Sequence, residues 1–233
     1  MYKNKKILAI VPARGGSKGI PQKNIYEIEG KPLIQYTLDE IKKSDLIDTC
    51  IVSTDCPKIL EVCIDLKVDV PHLRPRNLAT DNAKTIDVIV HELKLLESKN
   101  QIYDYVILLQ PTQPLRSSID IDNSIKLAID KDYDSLVGVS YVKDHPLLIR
   151  KIGEEGKLEN LLKVSSTVRR QEFSNYYKIN GAIYVNKVTS LSSDTSLNDN
   201  EYPYIMDKYY DLDIDNFSDL EKFKLIVQGK INI

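Results

Sequence analysis

The chain has 233 residues, enough for one large domain that buries a substantial core. Apolar residues make up 42% and charged residues 28%, a balance that sets extended disorder aside. A formal net charge of −2 gives no global attraction to nucleic acid or an anionic membrane, so any anionic ligand must be held by local positive charge.

The first residues place lysines ahead of an apolar run, as a secretion signal would. That run stops at Pro12 and Arg14, too short for a signal core, and no later stretch approaches membrane-spanning length. A cytoplasmic protein with no membrane partner and no nucleic acid is the expectation. Cys50, Cys56 and Cys63 are odd in number and lack CxxC spacing, which favours reduced thiols over a zinc site.

In chain order, Ile7 to Val11 reads as a buried strand, and Arg14 to Asn24 as the glycine-rich loop after it. Ile34, Leu38 and Ile41 recur at helical spacing. Cys50 to Val52 is a strand ending at Ser53-Thr54-Asp55, a helix follows Pro57, and Val68 to Val70 makes a short strand. Ile86, Ile89, Val90, Leu93 and Leu96 mark one face of the clearest helix. Tyr105 to Leu109 is a strong strand closed by Gln110-Pro111-Thr112. Ile121, Ile125 and Ala128 give the next helix, and Ser135 to Val139 the next strand. The alternation argues for an α/β fold with a mainly parallel sheet, in which ligands sit beyond the carboxyl ends of the strands.

After Val142 the order breaks. Residues 143–179 read as an insertion within a single domain spanning 1–233, followed by a strand over Gly181 to Val185. Near the C-terminus, Ser218 with Glu221 suggests a capping box for a helix with Leu220, Phe223, Ile226 and Val227 as its buried stripe.

The segment from Ala13 to Asn24 carries most of the functional information. Gly15, Gly16 and Gly19 follow a buried strand and let backbone N–H groups approach an anion. Arg14, Lys18 and Lys23 add fixed positive charge suited to a polyphosphate. The loop lacks the Gly-Lys-Ser/Thr ending of a Walker A motif and is not GxGxxG. In Asp211-Leu212-Asp213-Ile214-Asp215, carboxylates two residues apart share one side of an extended segment. Asp213 and Asp215 suit Mg²⁺ (or Mn²⁺), which takes one or two protein carboxylates beside water and phosphate oxygens; a merely solvated strand face is the alternative.

The run Pro12 to Gly19 with Lys23-Asn24 resembles the N-terminal signature of CMP-sialic acid synthetases, the acylneuraminate cytidylyltransferases. The likeness continues in Ile51 to Asp55, Leu73-Arg74-Pro75, Leu78 to Asp81, Leu109 to Thr112 with Pro114-Leu115-Arg116, Asn180 to Tyr184, and Asp213 to Asp215. These blocks occur in family order over nearly the whole chain. The resemblance implies a nucleotide-diphospho-sugar transferase (Rossmann-like) architecture, a divalent metal on Asp213 and Asp215, and a homodimer whose insertion reaches over the partner's sugar site.

It further implies nucleotide binding by Ala13, Arg14, Gly15, Asn24, Arg74 and Thr85, the last two near the cytosine, where a donor-only guanidinium selects an acceptor. Gln110, Arg170 (or Arg169), Lys178, Asn180 and Tyr184 are the implied sugar contacts, with Arg14, Lys18, Lys23, Asp213 and Asp215 serving the reaction. Tyr184 packing in the core is the alternative for that residue. Relatives commonly carry a basic residue two places after a His-Pro pair; here Leu148 stands in that place after His145-Pro146, which keeps nonulosonic acids other than N-acetylneuraminate open.

The implied reaction joins CTP to a nonulosonic acid, giving a CMP-sugar and pyrophosphate. A Kdo-type cytidylyltransferase is the nearest rival. An Asp-x-Asp glycosyltransferase and a non-catalytic nucleotide-binding module are more distant ones.

Overall fold

The computed structural model describes residues 1–162, 174–206 and 211–231. Its centre is a six-stranded sheet built from β1 (Ile7–Pro12), β4 (Thr49–Ser53), β5 (Tyr105–Leu108), β6 (Ser135–Tyr141), β9 (Tyr177–Lys187) and β10 (Tyr202–Met206), in the order β10-β6-β9-β5-β1-β4. β1 pairs in parallel with β4 and β5, and β10 with β6, whereas β9 runs antiparallel to both β5 and β6. The mainly parallel α/β expectation is borne out.

The unbroken apolar run of β1 has a direct physical cause. Ile7, Ala9 and Val11 face one core, Leu8 and Ile10 the other, and all are fully buried. On the first face lie α1 (Leu33–Lys43), α2 (Pro57–Asp65) and α4 (Ser118–Asp130), through Ile34, Leu38, Ile59, Cys63, Ile121 and Ile125. On the second lies α3 (Thr85–Ser98), through Ile89 and Leu96. Each such buried aliphatic side chain contributes about 1.5–3 kcal/mol relative to exposure.

A third apolar cluster joins α5 (Phe217–Val227) to the segment before it, with Leu212, Ile214, Leu220 and Phe223 against Ile20, Ile28 and Leu33. This cluster fixes the Asp213–Asp215 run beside the glycine-rich loop. Two short antiparallel pairs complete the described strands: β2 (Glu27–Ile28) with β3 (Lys31–Pro32), and β7 (Arg150–Ile152) with β8 (Leu158–Asn160).

Four local expectations need correction. Val68 to Val70 forms no strand, only an isolated bridge of Asp69 to Ile51, because Pro71 follows and removes the next donor. The cap of α5 is Asn216 with Asp219, two residues upstream of the Ser218–Glu221 pair: the Asn216 side chain accepts from Ser218 N and Asp219 N. Val227 is 39% exposed and so lies outside the buried stripe. The strand expected over Gly181 to Val185 is longer, beginning at Tyr177, which pairs with Tyr141 and closes the base of the excursion between β6 and β9.

Candidate active site

Parallel pairing puts the ends of β1, β4 and β5 at one edge of the sheet, so the loops after Pro12, Ser53 and Leu108 meet there. In register with β5, Tyr184 lies opposite Leu108, which carries Lys178 to Gly181 past the end of β5 to the same edge. A cleft of about 410 Å³ opens at this edge, lined among others by Arg14, Lys18, Lys23, Asn24, Arg74, Thr85, Gln110 and Asp215. A neighbouring pocket of about 370 Å³ holds Gln110, Gln113, Lys178, Asn180, Tyr184 and Asp213. Gln110 lines both, standing at the boundary.

Within the loop the backbone groups divide sharply. Ala13 N donates to Ser53 O at 2.9 Å and Gly15 N to Asp55 Oδ1 at 2.8 Å, so these groups hold the loop on β4. Asn24 is buried, and its Nδ2 donates to Arg14 O at 2.9 Å, closing the loop from its other end. The consecutive N–H groups of Gly16, Ser17, Lys18 and Gly19 donate to no protein acceptor among the described residues. Such a run of free donors beside positive side chains suits an anion.

Two glycines are needed here for close approach. A Cβ at Gly15 would lie 2.7 Å from Cys56 Cβ, and one at Gly19 would lie 2.1 Å from the carbonyl oxygen of Asp215. The latter contact ties the loop to the carboxylate segment.

The basic side chains face carboxylates of the chain itself. Arg14 Nη1 and Lys18 Nζ lie 2.8 and 2.9 Å from the two oxygens of Asp81. Those partners, Lys18 before Arg14, hold the Asp81 carboxyl below its ordinary value. Lys23, only 13% exposed, reaches Asp215 Oδ1 at 3.1 Å and donates to Ile214 O at 2.6 Å.

Leu212 and Ile214 are buried while Asp213 and Asp215 face outward, the alternation an extended segment gives. Asp215 lines the first cleft and Asp213 the second pocket. Protein packed around Asp213 raises its carboxyl, and Asp215 adds to this against the opposing influence of Thr112, Lys23 and Gln113. The carboxylate of Asp219 accepts from the N–H groups of Asp215 and Asn216 at 3.0 and 3.1 Å, so the cap of α5 also fixes Asp215. Among the described residues no group of three His, Cys, Asp or Glu side chains converges as a closed metal cage. An open pair of carboxylates beside that donor run fits Mg²⁺, which keeps positions for water and phosphate oxygens.

Arg74 is not a surface arginine: it is 6% exposed, yet it lines the cleft with Thr85. Its Nε donates to Ser53 Oγ at 2.9 Å, its Nη2 to Ser53 O, and its Nη1 to Leu78 O at 3.4 Å. Burial lowers its pKa, with the Asp55 and Glu92 carboxylates opposing.

The expected sugar contacts come together only in part. Tyr184 packs its ring in the second core and lines the second pocket, its hydroxyl donating to Asn198 Oδ1 at 3.2 Å. Asn180 is buried and occupied: its Nδ2 donates to Ser140 Oγ at 3.0 Å and its Oδ1 accepts from Ala182 N at 3.0 Å. Lys178 pairs with Asp211 at 2.8 Å. Arg170, with Arg169, lies outside the described residues.

Several contributors were not singled out in the sequence. Arg116, 1% exposed, donates to the carbonyls of Gln113, Ala182 and Gln110 and to Thr37 Oγ1 at 2.6–3.1 Å. It thereby joins the turn after β5 to β9, the two walls of the second pocket. Its signal was the Pro114-Leu115-Arg116 block. Asp81 had its signal in the Leu78 to Asp81 block, whereas Glu92 gave none, since an acid on a helix reads as solvated.

A sequence profile described as cytidylyltransferase matches residues 8–231. The chain belongs to the cytidylyltransferase family. It is 34% identical over 217 residues to an N-acylneuraminate cytidylyltransferase of Streptococcus agalactiae serotype V, a match covering 92% of this chain and 51% of that protein. The chain thus spans about half the length of that relative. To a CMP-N,N'-diacetyllegionaminic acid synthase of Legionella pneumophila it is 34% identical over 183 residues, 77% of each chain. To a pseudaminic acid cytidylyltransferase of Campylobacter jejuni it is 29% identical over 222 residues, covering 95% of this chain and 96% of that one. Among solved structures, a CMP:2-keto-3-deoxy-manno-octonic acid synthetase complexed with CTP aligns with a TM-score of 0.70 at 17% identity, over 97% of this chain and 100% of that one. That last likeness shows the cytidylyltransferase fold. The acylneuraminate cytidylyltransferase resemblance of the sequence is borne out by these relatives.

Proposed function

We propose that this cytidylyltransferase transfers CMP from CTP to the anomeric hydroxyl of a sialic acid or related nonulosonic acid, releasing pyrophosphate. The observation that carries the reading is the free N–H run of Gly16 to Gly19, set between Arg14, Lys18 and Lys23 and touching the Asp213–Asp215 segment. The triphosphate lies along that run, and the base lies against Arg74 and Thr85. The sugar acid occupies the pocket beyond Gln110, with Tyr184 and its neighbours around it.

The anomeric oxygen attacks the α-phosphorus, the bond from that phosphorus to the bridging oxygen breaks, and pyrophosphate departs with the bond's electrons. Donors fixed beforehand stabilise the charge that grows on the phosphoryl oxygens. Arg14 and Lys18 neutralise the leaving group, and Lys23 orients Asp215. Asp213 and Asp215 would hold Mg²⁺ (or Mn²⁺), which when bound supplies Lewis-acid polarisation of phosphate oxygens. The hydroxyl's proton passes to solvent, no side chain being assigned as its base.

The reading includes a homodimer closed by the excursion between β6 and β9. The apolar side chains of Ile152 and Leu158 on its hairpin, 75% and 71% exposed, support a contact there. It also includes a cytoplasmic setting without membrane or nucleic-acid partners. Among the described residues no helix is long and apolar enough to cross a membrane, and the net charge of −2 offers nucleic acid no general attraction.

A pyrophosphate-release assay with CTP, Mg²⁺ and a panel of N-acetylneuraminate, legionaminic, pseudaminic and eight-carbon Kdo acids tests the reading. Release with a nine-carbon acid is expected. Release with Kdo alone, or with none of the panel, overturns it.

A further inference from the structure

The face of α3 that looks into the cleft carries Thr85 and Val88, and one turn further on, at the same helical phase, Glu92. Glu92 is 1% exposed, on a stripe that a purely apolar pattern would fill with leucine or isoleucine. Burying a carboxylate is costly unless it is paired and hydrogen-bonded. Its partners are specific. Oε1 accepts the Ser53 hydroxyl at 2.5 Å, and Ser53 Oγ in turn accepts from Arg74 Nε at 2.9 Å. His72, whose ring stands edge-on to His91 at 5.4 Å, brings Nε2 to 3.6 Å from the same Oε1.

A carboxylate accepts only, and a serine hydroxyl has a single proton to give. With that proton directed at Glu92, the remaining lone pairs of Ser53 point to Arg74, and the polarity of the chain is fixed from the buried end outward. The guanidinium, also anchored at Ser53 O and Leu78 O, is held in one plane at the cleft wall. That plane matters for a pyrimidine. Cytosine presents acceptors at O2 and N3, whereas N3 of uracil carries a hydrogen, so a donor-only group fixed at this edge accepts one base and meets a donor on the other.

We propose that Glu92 is a positioning residue that sets nucleobase choice, acting through Ser53 on the orientation of Arg74. The proposal rests on the CTP reading above and adds a residue that touches no substrate. In Glu92→Gln the amide can turn its NH₂ toward Ser53. The serine proton is then free to face Arg74 Nε, and the guanidinium loses its fixed plane.

The test is calorimetric titration of the full chain with CTP and with UTP, each with Mg²⁺, alongside thermal unfolding. For E92Q the ratio of CTP to UTP affinity is expected to fall by about tenfold or more, as for other sites where a placed hydrogen bond sets discrimination. Pyrophosphate affinity, read at the glycine-rich loop, is expected to fall by less than that ratio, because Glu92 makes no hydrogen bond to the Gly16–Gly19 run. A ratio unchanged in E92Q, with only the unfolding temperature lowered, overturns the proposal and assigns Glu92 to stability alone. Should E92Q fail to fold, Ser53→Ala removes the middle of the chain without changing charge and is read by the same ratio. A wild-type protein that does not prefer CTP to UTP contradicts the underlying reading instead, so the two failures are distinct.

Discussion

Gly19 meets the backbone of Asp215 so closely that a methyl group would stand 2.1 Å from the Asp215 carbonyl oxygen. The two residues are far apart in sequence, one in the loop after β1, the other before α5. Their contact makes one site of the free-donor run and the carboxylate pair. The backbone cannot yield as a flexible side-chain tip would, so Gly19→Ala must part the two segments. Turnover is expected to fall by about 100-fold, the effect of an ångström's misplacement of reacting groups. Gly16→Ala is the control for folding, since a Cβ there meets nothing within 4 Å and the unfolding temperature is expected to hold. Steady-state kinetics and thermal scans of the two variants check this; equal behaviour would contradict it.

Asp81 bridges Arg14 and Lys18 where the polyphosphate is expected, so ligand and carboxylate compete for the same charges. Replacing Asp81 with Asn removes the internal rival. Inorganic pyrophosphate is expected to bind about five- to tenfold more tightly to D81N, in line with the removal of one like charge near an anion. The pH dependence has a definite sign. The Asp81 carboxyl is depressed by Lys18 and Arg14, so it stays ionised down to its lowered value. The difference between wild type and D81N therefore persists across neutral pH and closes only in acid, as Asp81 takes up a proton. Titration calorimetry at a series of pH values reads it.

Burial pushes the Cys50 thiol up to about 12 and the Cys63 thiol up to about 11. Neither is expected to react with a thiol reagent at pH 8 in the folded protein, whereas all three cysteines react once it is unfolded. A raised thiol pKa favours the folded state while the unfolded thiol is still protonated. The associated stability is complete below the ordinary value of 9.0 and declines as pH climbs toward about 11 for Cys63 and about 12 for Cys50. Thermal unfolding between neutral and strongly alkaline pH should show that decline.

Much of this was legible in the sequence because the relevant signals are local. β1 reads as an unbroken apolar run because helices cover both faces of its sheet, and the alternation in Leu212 to Asp215 reads as an extended segment with its acids outward. The resemblance blocks brought Arg14, Lys23, Arg74, Gln110 and Asp215 to one cleft. What escaped was set by tertiary partners. Glu92 is buried because Ser53 and Arg74 come to it from β4 and the loop beyond, and nothing on α3 announces them. Asn180, expected at the sugar, lines the second pocket with its amide held by Ser140 and Ala182, partners that nothing in its own segment announces. The α5 cap is Asn216 with Asp219, a pair of the same spacing as Ser218 with Glu221, and Asp219 also accepts from Asp215 N.

The most direct measurement is a crystal structure of the chain with CTP and Mg²⁺. The triphosphate is expected along the N–H groups of Gly16 to Gly19, beside Arg14 and Lys18, with the cation on Asp213 or Asp215 and the base against Arg74. A nucleotide bound away from both the loop and the carboxylate pair would contradict the account.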